Sequence, residues 1–227
     1  MQKSFVALLS VLTLAACGAT STVTEQYSTS SSATISSATT SSAASETASA
    51  ATVSSSPSLA SSMKSNSPLS GKHTVTLTTS MGAITLELDA DMAPKTVTNF
   101  ITHTKNGYYD NLTFHRVIPG FMIQGGDPNG LGTGGESIYG DTFEDEIDPS
   151  NPVYATYKTG TVAMANRGPN TNGSQFFIME ADVPLPPSYT IFGRVVSGQS
   201  VVSAIANVDR DGRDMPLTPV TFTPAVK

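Results

Sequence analysis

Apolar and polar residues alternate over two neighbouring stretches of the chain. In HTVTLTT (73–79), Val75 and Leu77 alternate with Thr74, Thr76 and Thr78; in AITLELD (83–89), Ile84, Leu86 and Leu88 alternate with Thr85 and Glu87. A period of two buries one face of a strand, so both segments read as half-buried strands, joined as a hairpin through Ser80-Met81-Gly82. The spacing then becomes helical. In APKTVTNFITHTKNGYY (93–109), Val97, Phe100 and Ile101 share a face, Pro94 suits the first turn, and Asn106-Gly107 ends the helix. Short apolar runs follow at 114–118, 121–124, 161–164, 175–180 and 191–196, separated by Gly- and Pro-rich loops. A second short helix is expected over 198–206, with Ser197 or Gly198 at its cap, and a last strand within PLTPVTFTP (216–224). Many strands with two helices predict a β-barrel or sandwich plugged at its ends by helices. Residues 71–227 are expected to form one domain, long enough for a sizeable core.

The residues before 71 follow no such pattern. Lys3 and the apolar run Phe5–Leu14 have the form of a secretion signal, too short to span a bilayer in the usual way. Leu14-Ala15-Ala16-Cys17 resembles the lipobox of bacterial lipoproteins. That resemblance implies a signal peptide over 1–16, acylation of Cys17, and an extracytoplasmic protein lipid-anchored to the bacterial cell membrane. An ordinary signal peptide with an incidental Cys is the alternative; the lipobox position of the chain's single Cys favours lipidation. More than half of residues 21–70 are Ser or Thr, and the only charges there are Glu25, Glu46 and Lys64. Such a segment cannot bury enough apolar area to offset the entropy of ordering it, so residues 17–70 are expected to be a disordered tether. A flexible coil of this length reaches on the order of 40 Å r.m.s..

Composition narrows the partners. Net charge is −6, charged residues make up 13% and no basic run occurs, which argues against nucleic acid. One Cys excludes an intrachain disulfide.

Four blocks carry more than fold class: APKTVTNF (93–100), FHRVIPGFMIQGGD (114–127), MANRGPNTNGSQFFI (164–178) and YTIFGRV (189–195). In this order they closely resemble the cyclophilin family of peptidyl-prolyl cis-trans isomerases. The resemblance spans essentially the whole folded part. It implies a mainly β fold: a closed antiparallel eight-stranded barrel capped by two α-helices, with a groove on its outer surface that binds proline-containing polypeptides. It implies no cofactor and no metal, and a monomer is expected.

The reaction explains the residue types. An X-Pro amide rotates slowly, over about tens to hundreds of seconds, because resonance gives its C–N bond partial double-bond character. No covalent bond need break. Two things help: a pocket that grips the ring, and a fixed donor that localises the nitrogen lone pair; a guanidinium suits the second, being always charged and rigidly forked. By match to the family's motif, Arg116 is that donor. Phe121, Met122 and Phe177 match the apolar wall, Gln124 and Asn166 match groups that hold the substrate backbone, and Ala165 lines the groove. Tyr189 stands where many eukaryotic members carry His. Read alone, Phe121, Met122 and Phe177 would be ordinary core and Arg116 a surface ion-pair partner; the blocks together favour the functional reading. One feature departs from the family: many members carry a rim Trp that contacts cyclosporin, and this chain has no Trp. Leu185 is expected to fill part of that rim, so cyclosporin binding is expected to be weak.

Other signals carry less. Strand alternation turns His115 away from Arg116, and isomerisation abstracts no proton, so His115 is read as structural. His73, His103 and His115 have no metal-ligand spacing. GGDPNGLGTGG (125–135) lacks the Lys-Ser/Thr of a phosphate-binding loop and reads as a mobile loop beside the groove. DRDGRD (209–214) is faintly like a calcium loop but has Val220 where an acidic twelfth ligand belongs, and reads as a helix-to-strand turn. The alternative function is a module that holds Pro-containing segments, as a holdase or adhesin, with turnover incidental. Arg116 argues for the enzyme, since a pure binder gains nothing from a donor aimed at an amide nitrogen.

Overall fold

The computed structural model describes residues 67–227; the signal-like segment, Cys17 and the tether up to residue 66 lie outside the described residues. The elements run β1 (Lys72–Thr79), β2 (Gly82–Asp89), α1 (Pro94–Lys105), β3 (Leu112–Ile118), β4 (Met122–Gly125), a 3₁₀ turn (Pro152–Ala155), β5 (Thr161–Met164), β6 (Phe176–Met179), β7 (Ile191–Ser197), α2 (Gln199–Ala206) and β8 (Thr221–Val226). The strands close a barrel in the order β1-β2-β7-β5-β6-β4-β3-β8, and β8 pairs back onto β1. Every pairing is antiparallel. Closure leaves no open sheet edge.

The barrel interior holds Val75, Leu77, Ile84, Leu86 and Leu88 from the first hairpin, Phe114 and Val117 from β3, and Phe176 and Ile178 from β6. Helix α1 adds Val97, Phe100 and Ile101, and α2 adds Val202, Ile205 and Ala206. The N-cap of α1 is Ala93, whose side chain makes no capping bond. Glu146 supplies the cap instead, accepting from the Lys95 and Thr96 N–H groups at 2.9 and 2.8 Å. This satisfies orphan donors and sets a negative charge at the positive helix end. Helix α2 starts directly from β7 through Gly198, whose φ of 91° lies in the left-handed region; a Cβ there would come within 2.3 Å of the Ala83 carbonyl oxygen. Packing begins ahead of residue 71, within the stretch that composition assigns to the tether: the Leu69 N–H donates to Thr98 Oγ1 at 2.8 Å, and its side chain packs against the core.

A second apolar cluster lies on the outside of the barrel. Met122, Tyr154, Tyr157, Ala163, Phe177, Met179 and Ile191 form it, with Phe121, Leu185 and Tyr189 partly buried around them. Strands β4, β5 and β6 are therefore covered on both faces. That is why their sequences read as continuous apolar runs, whereas β1 and β2 alternate.

Candidate active site

Pairing register builds the site. Arg116 on β3 is opposite Gln124 on β4, Gln124 is opposite Phe177 on β6, and Phe177 is opposite Ala163 on β5. Alternation along β4 and β6 turns Met122, Gln124 and Phe177 outward while Ile123, Phe176 and Ile178 enter the core. Arg116 joins this outward row through an irregularity. Between Phe114 and Arg116 the register shifts, and His115 is the extra residue of a β-bulge. Phe114 and Val117 both point into the core, so without the bulge Arg116 would face inward. Simple alternation therefore does not account for how His115 and Arg116 diverge; the bulge sets it.

The outward row opens into a cavity of about 230 Å³ lined by Arg116, Phe121, Met122, Gln124, Ala165, Asn166, Phe177, Leu185 and Tyr189. All of the groove residues named from the sequence thus meet in one place. The volume suits one or two side chains rather than a drug-sized ligand. Phe177 is 5% exposed and Met122 2%, so both serve the outer cluster and the cavity floor together. Tyr189 meets the Phe177 ring edge-on at 5.5 Å. Behind them the buried Tyr157 donates its hydroxyl hydrogen to the Tyr189 carbonyl at 2.9 Å. Burial chiefly pushes the Tyr157 phenol up to about 12, so it remains a donor. The sequence reading did not single out Tyr157, which lies among loop residues without a periodic pattern.

The polar side is fixed by short bonds. Gln124 Nε2 donates to Gln175 Oε1 at 2.9 Å, and Gln175 Nε2 donates to the Gly134 carbonyl at 2.8 Å. Asn166 Nδ2 donates to the Ser188 carbonyl at 2.8 Å, and its Oδ1 accepts from the Gly168 N–H at 3.3 Å. Among the described residues no main-chain bond to the N–H or C=O of Asn166 is formed. A smaller cavity of about 70 Å³ shares Gln124, Ala165 and Asn166 and continues past Gly134, Arg167, Thr171 and Gln175. The loop 125–135 and the block 164–178 line this extension; both stand out in the sequence, but beyond Gln124, Ala165 and Asn166 no residue of it was given a role.

The Gly-rich segment 125–135 is knitted together rather than loose. The Asp127 carboxylate accepts from the N–H groups of Asn129, Leu131, Gly132, Thr133 and Gly134, at 2.7 to 3.2 Å. Burial raises its pKa, but these donors outweigh that and leave it below the ordinary carboxylate value. His115 lies beneath this loop, 5% exposed, with its ring buried beside Gln175. Burial holds its pKa below the ordinary imidazole value, against the opposing pull of Asp127. Among the described residues no cluster of His, Cys, Asp and Glu could hold a metal ion.

Comparison with known proteins follows the same lines. The family model described as cyclophilin type peptidyl-prolyl cis-trans isomerase/CLD matches residues 74–226. Peptidyl-prolyl cis-trans isomerase ppi1 of Schizosaccharomyces pombe is 53% identical over 153 residues, 67% of this chain and 97% of that protein. CYP18-2 of Arabidopsis thaliana, also a peptidyl-prolyl cis-trans isomerase, is 50% identical over 144 residues, 63% of this chain and 86% of the relative. Among solved structures, a Cryptosporidium parvum cyclophilin type peptidyl-prolyl cis-trans isomerase superposes with a TM-score of 0.65 at 39% identity, covering 69% of this chain and 98% of that one. A second structure of that protein was determined in the presence of the dipeptide Ala-Pro, with a TM-score of 0.64. The chain belongs to the cyclophilin-type peptidyl-prolyl cis-trans isomerases and is an isomerase of that class.

Proposed function

We propose that the outer groove binds X-Pro segments of exported polypeptides and that Arg116 drives rotation of the prolyl amide. The observation that carries this reading is the cross-strand row Arg116–Gln124–Phe177, with all three side chains in one cavity. The prolyl ring sits against Phe121, Met122, Phe177 and Leu185, with Tyr189 closing one side. The main chain of Asn166 pairs with the substrate backbone on one side of the scissile-free amide, and Gln124, held by Gln175, supports the other. Arg116 then donates toward the prolyl nitrogen as rotation localises its lone pair. No group is transferred, so the site needs no nucleophile. An open groove on the barrel wall, rather than an enclosed chamber, admits a segment in the middle of a long chain. The Ala-Pro dipeptide in whose presence the Cryptosporidium parvum relative was crystallised is a minimal segment of this type.

The test is a titration of the protein with a Pro-containing peptide and with the same peptide carrying Ala for Pro. The Pro peptide should shift the backbone amide resonances of Ala165, Asn166 and Phe177 and give cis–trans exchange peaks. Equal shifts from the Ala peptide, or shifts confined to another face, would contradict the assignment.

The same proposal sets the enzyme outside the cytoplasm, held to a membrane by an acylated Cys17 and carried on the Ser/Thr-rich tether. The lipobox-like Leu14-Ala15-Ala16-Cys17 supports it. No helix among the described residues is long and apolar enough to cross a membrane. Cys17→Ser should move the protein into the soluble fraction or leave its signal uncleaved. Normal processing with continued membrane association would reject lipidation.

A further inference from the structure

The turn 209–215, between α2 and β8, lines no part of the groove, yet its bonds converge on the neighbourhood of Arg116. Asp211 Oδ1 accepts from the N–H groups of Arg213 and Met215 at 2.8 and 2.9 Å, and the Asp211 N–H donates to the Met215 carbonyl at 2.8 Å. The closed turn holds Asp214 at a φ of 64°. Few residues other than glycine adopt this left-handed conformation, and Asp and Asn do so most readily. The Val117 N–H donates to the Asp214 carbonyl at 2.9 Å, which pins the turn to β3 one residue beyond Arg116. As a result Asp214 Oδ2 lies 3.9 Å from Arg116 Nε, while Oδ1 accepts from Arg210 Nε at 3.2 Å. No other ion pair involves Arg116 among the described residues.

We propose that Asp214 is a positioning residue for isomerisation: its carboxylate, anchored by Arg210 and by the turn, sets the direction of the Arg116 guanidinium across the groove. This rests on the reading of Arg116 as the donor. A long side chain free to sample its rotamers is aimed at the amide for only part of the time, and a fixed opposite charge narrows that range. The shortest approach is to Nε, the inner edge of the fork, so the outer amines remain for substrate. Arg116 and Asp214 are 43% and 35% exposed, so water screens the pair and its effect is modest. A two- to fivefold effect on turnover is about the scale of such a pair.

The test is Asp214→Asn in the full-length protein, alone and combined with Arg116→Ala. Asn tolerates the left-handed conformation, so the substitution removes the charge and spares the turn. Cis–trans exchange rates, peptide affinity and thermal midpoint are measured together. Asp214→Asn should slow turnover about two- to fivefold with affinity and midpoint unchanged, should alter the Arg116 Nε–H resonance, and should cause no further loss on the Arg116→Ala background. Full turnover in Asp214→Asn, or an equal further loss on that background, would overturn the positioning role while Arg116→Ala alone stays slow. Full turnover in Arg116→Ala itself would overturn the reading of Arg116 and this proposal with it.

Discussion

Individual residues in this protein serve two purposes at once, and burial decides which is visible from sequence. Phe177 belongs both to the outer apolar cluster and to the cavity wall, so one side chain satisfies packing and lining together. Its neighbours on the row were legible because a guanidinium and a carboxamide inside apolar runs need a reason to be there. His115 was legible only in part. The sequence marked it as structural, but its role as the bulge residue follows from pairing with β4, which is not encoded locally. Its environment makes a prediction. Burial lowers the pKa of both His115 and His103. Above the ordinary imidazole value of about 6.5 both folded and unfolded rings are neutral and contribute nothing. As pH falls below that value the unfolded rings take up protons that the folded ones resist, so stability decreases until the folded pKa values are reached. The urea midpoint should therefore be lower at pH ~5.5 than at pH ~7.5. His115→Gln should flatten part of that slope. An unchanged slope would mean that His115 reaches water without unfolding.

At the level of elements, periodicity gave the parts and not their arrangement. β1 and β2 were readable because each buries one face, and α1 because its apolar Val97, Phe100 and Ile101 fall together although Thr96, Thr98 and Asn99 between them are buried too; the Asn106-Gly107 stop matches the observed cap at Asn106. The β2–β7 and β7–β5 contacts were not, since they join segments far apart in the chain. The 3₁₀ turn at Pro152–Ala155 was missed because four residues carry no period. The junction from β7 to α2 shows how narrow the local tolerances are. Gly198 adopts a conformation other residues avoid, and its missing Cβ is what lets the chain pass Ala83. Gly198→Ala should destabilise the fold by about 1–3 kcal/mol through backbone strain, with steric displacement of β2 adding to it. Urea denaturation measures this directly, and a loss below about 0.5 kcal/mol would contradict the strain argument.

For the whole molecule, composition divided the chain near residue 70, and packing moves that division slightly earlier. Leu69 is bonded to Thr98 and packed against the core, a contact no composition argument could reveal. A chain shortened to residues 67–227 should melt cooperatively and keep full isomerase activity. Shortening it further to 71–227 should cost about 1–2 kcal/mol, from one lost hydrogen bond and the partial burial of one Leu. Equal thermal midpoints for the two would show that residues 67–70 do not contribute to the fold.

The role proposed for Arg116 lies in the transition state rather than in binding. A contact made only with the twisted amide raises turnover and leaves substrate affinity little changed. The most direct measurement is cis–trans exchange of a Pro peptide by NMR line shape, with affinity from the same titration, in the native protein and in Arg116→Ala. Loss of one fixed donor typically slows turnover about 10²–10³-fold, so that decrease is expected with affinity altered no more than about fivefold. Near-native exchange in Arg116→Ala, or a loss of affinity that accounts for the whole decrease, would contradict it.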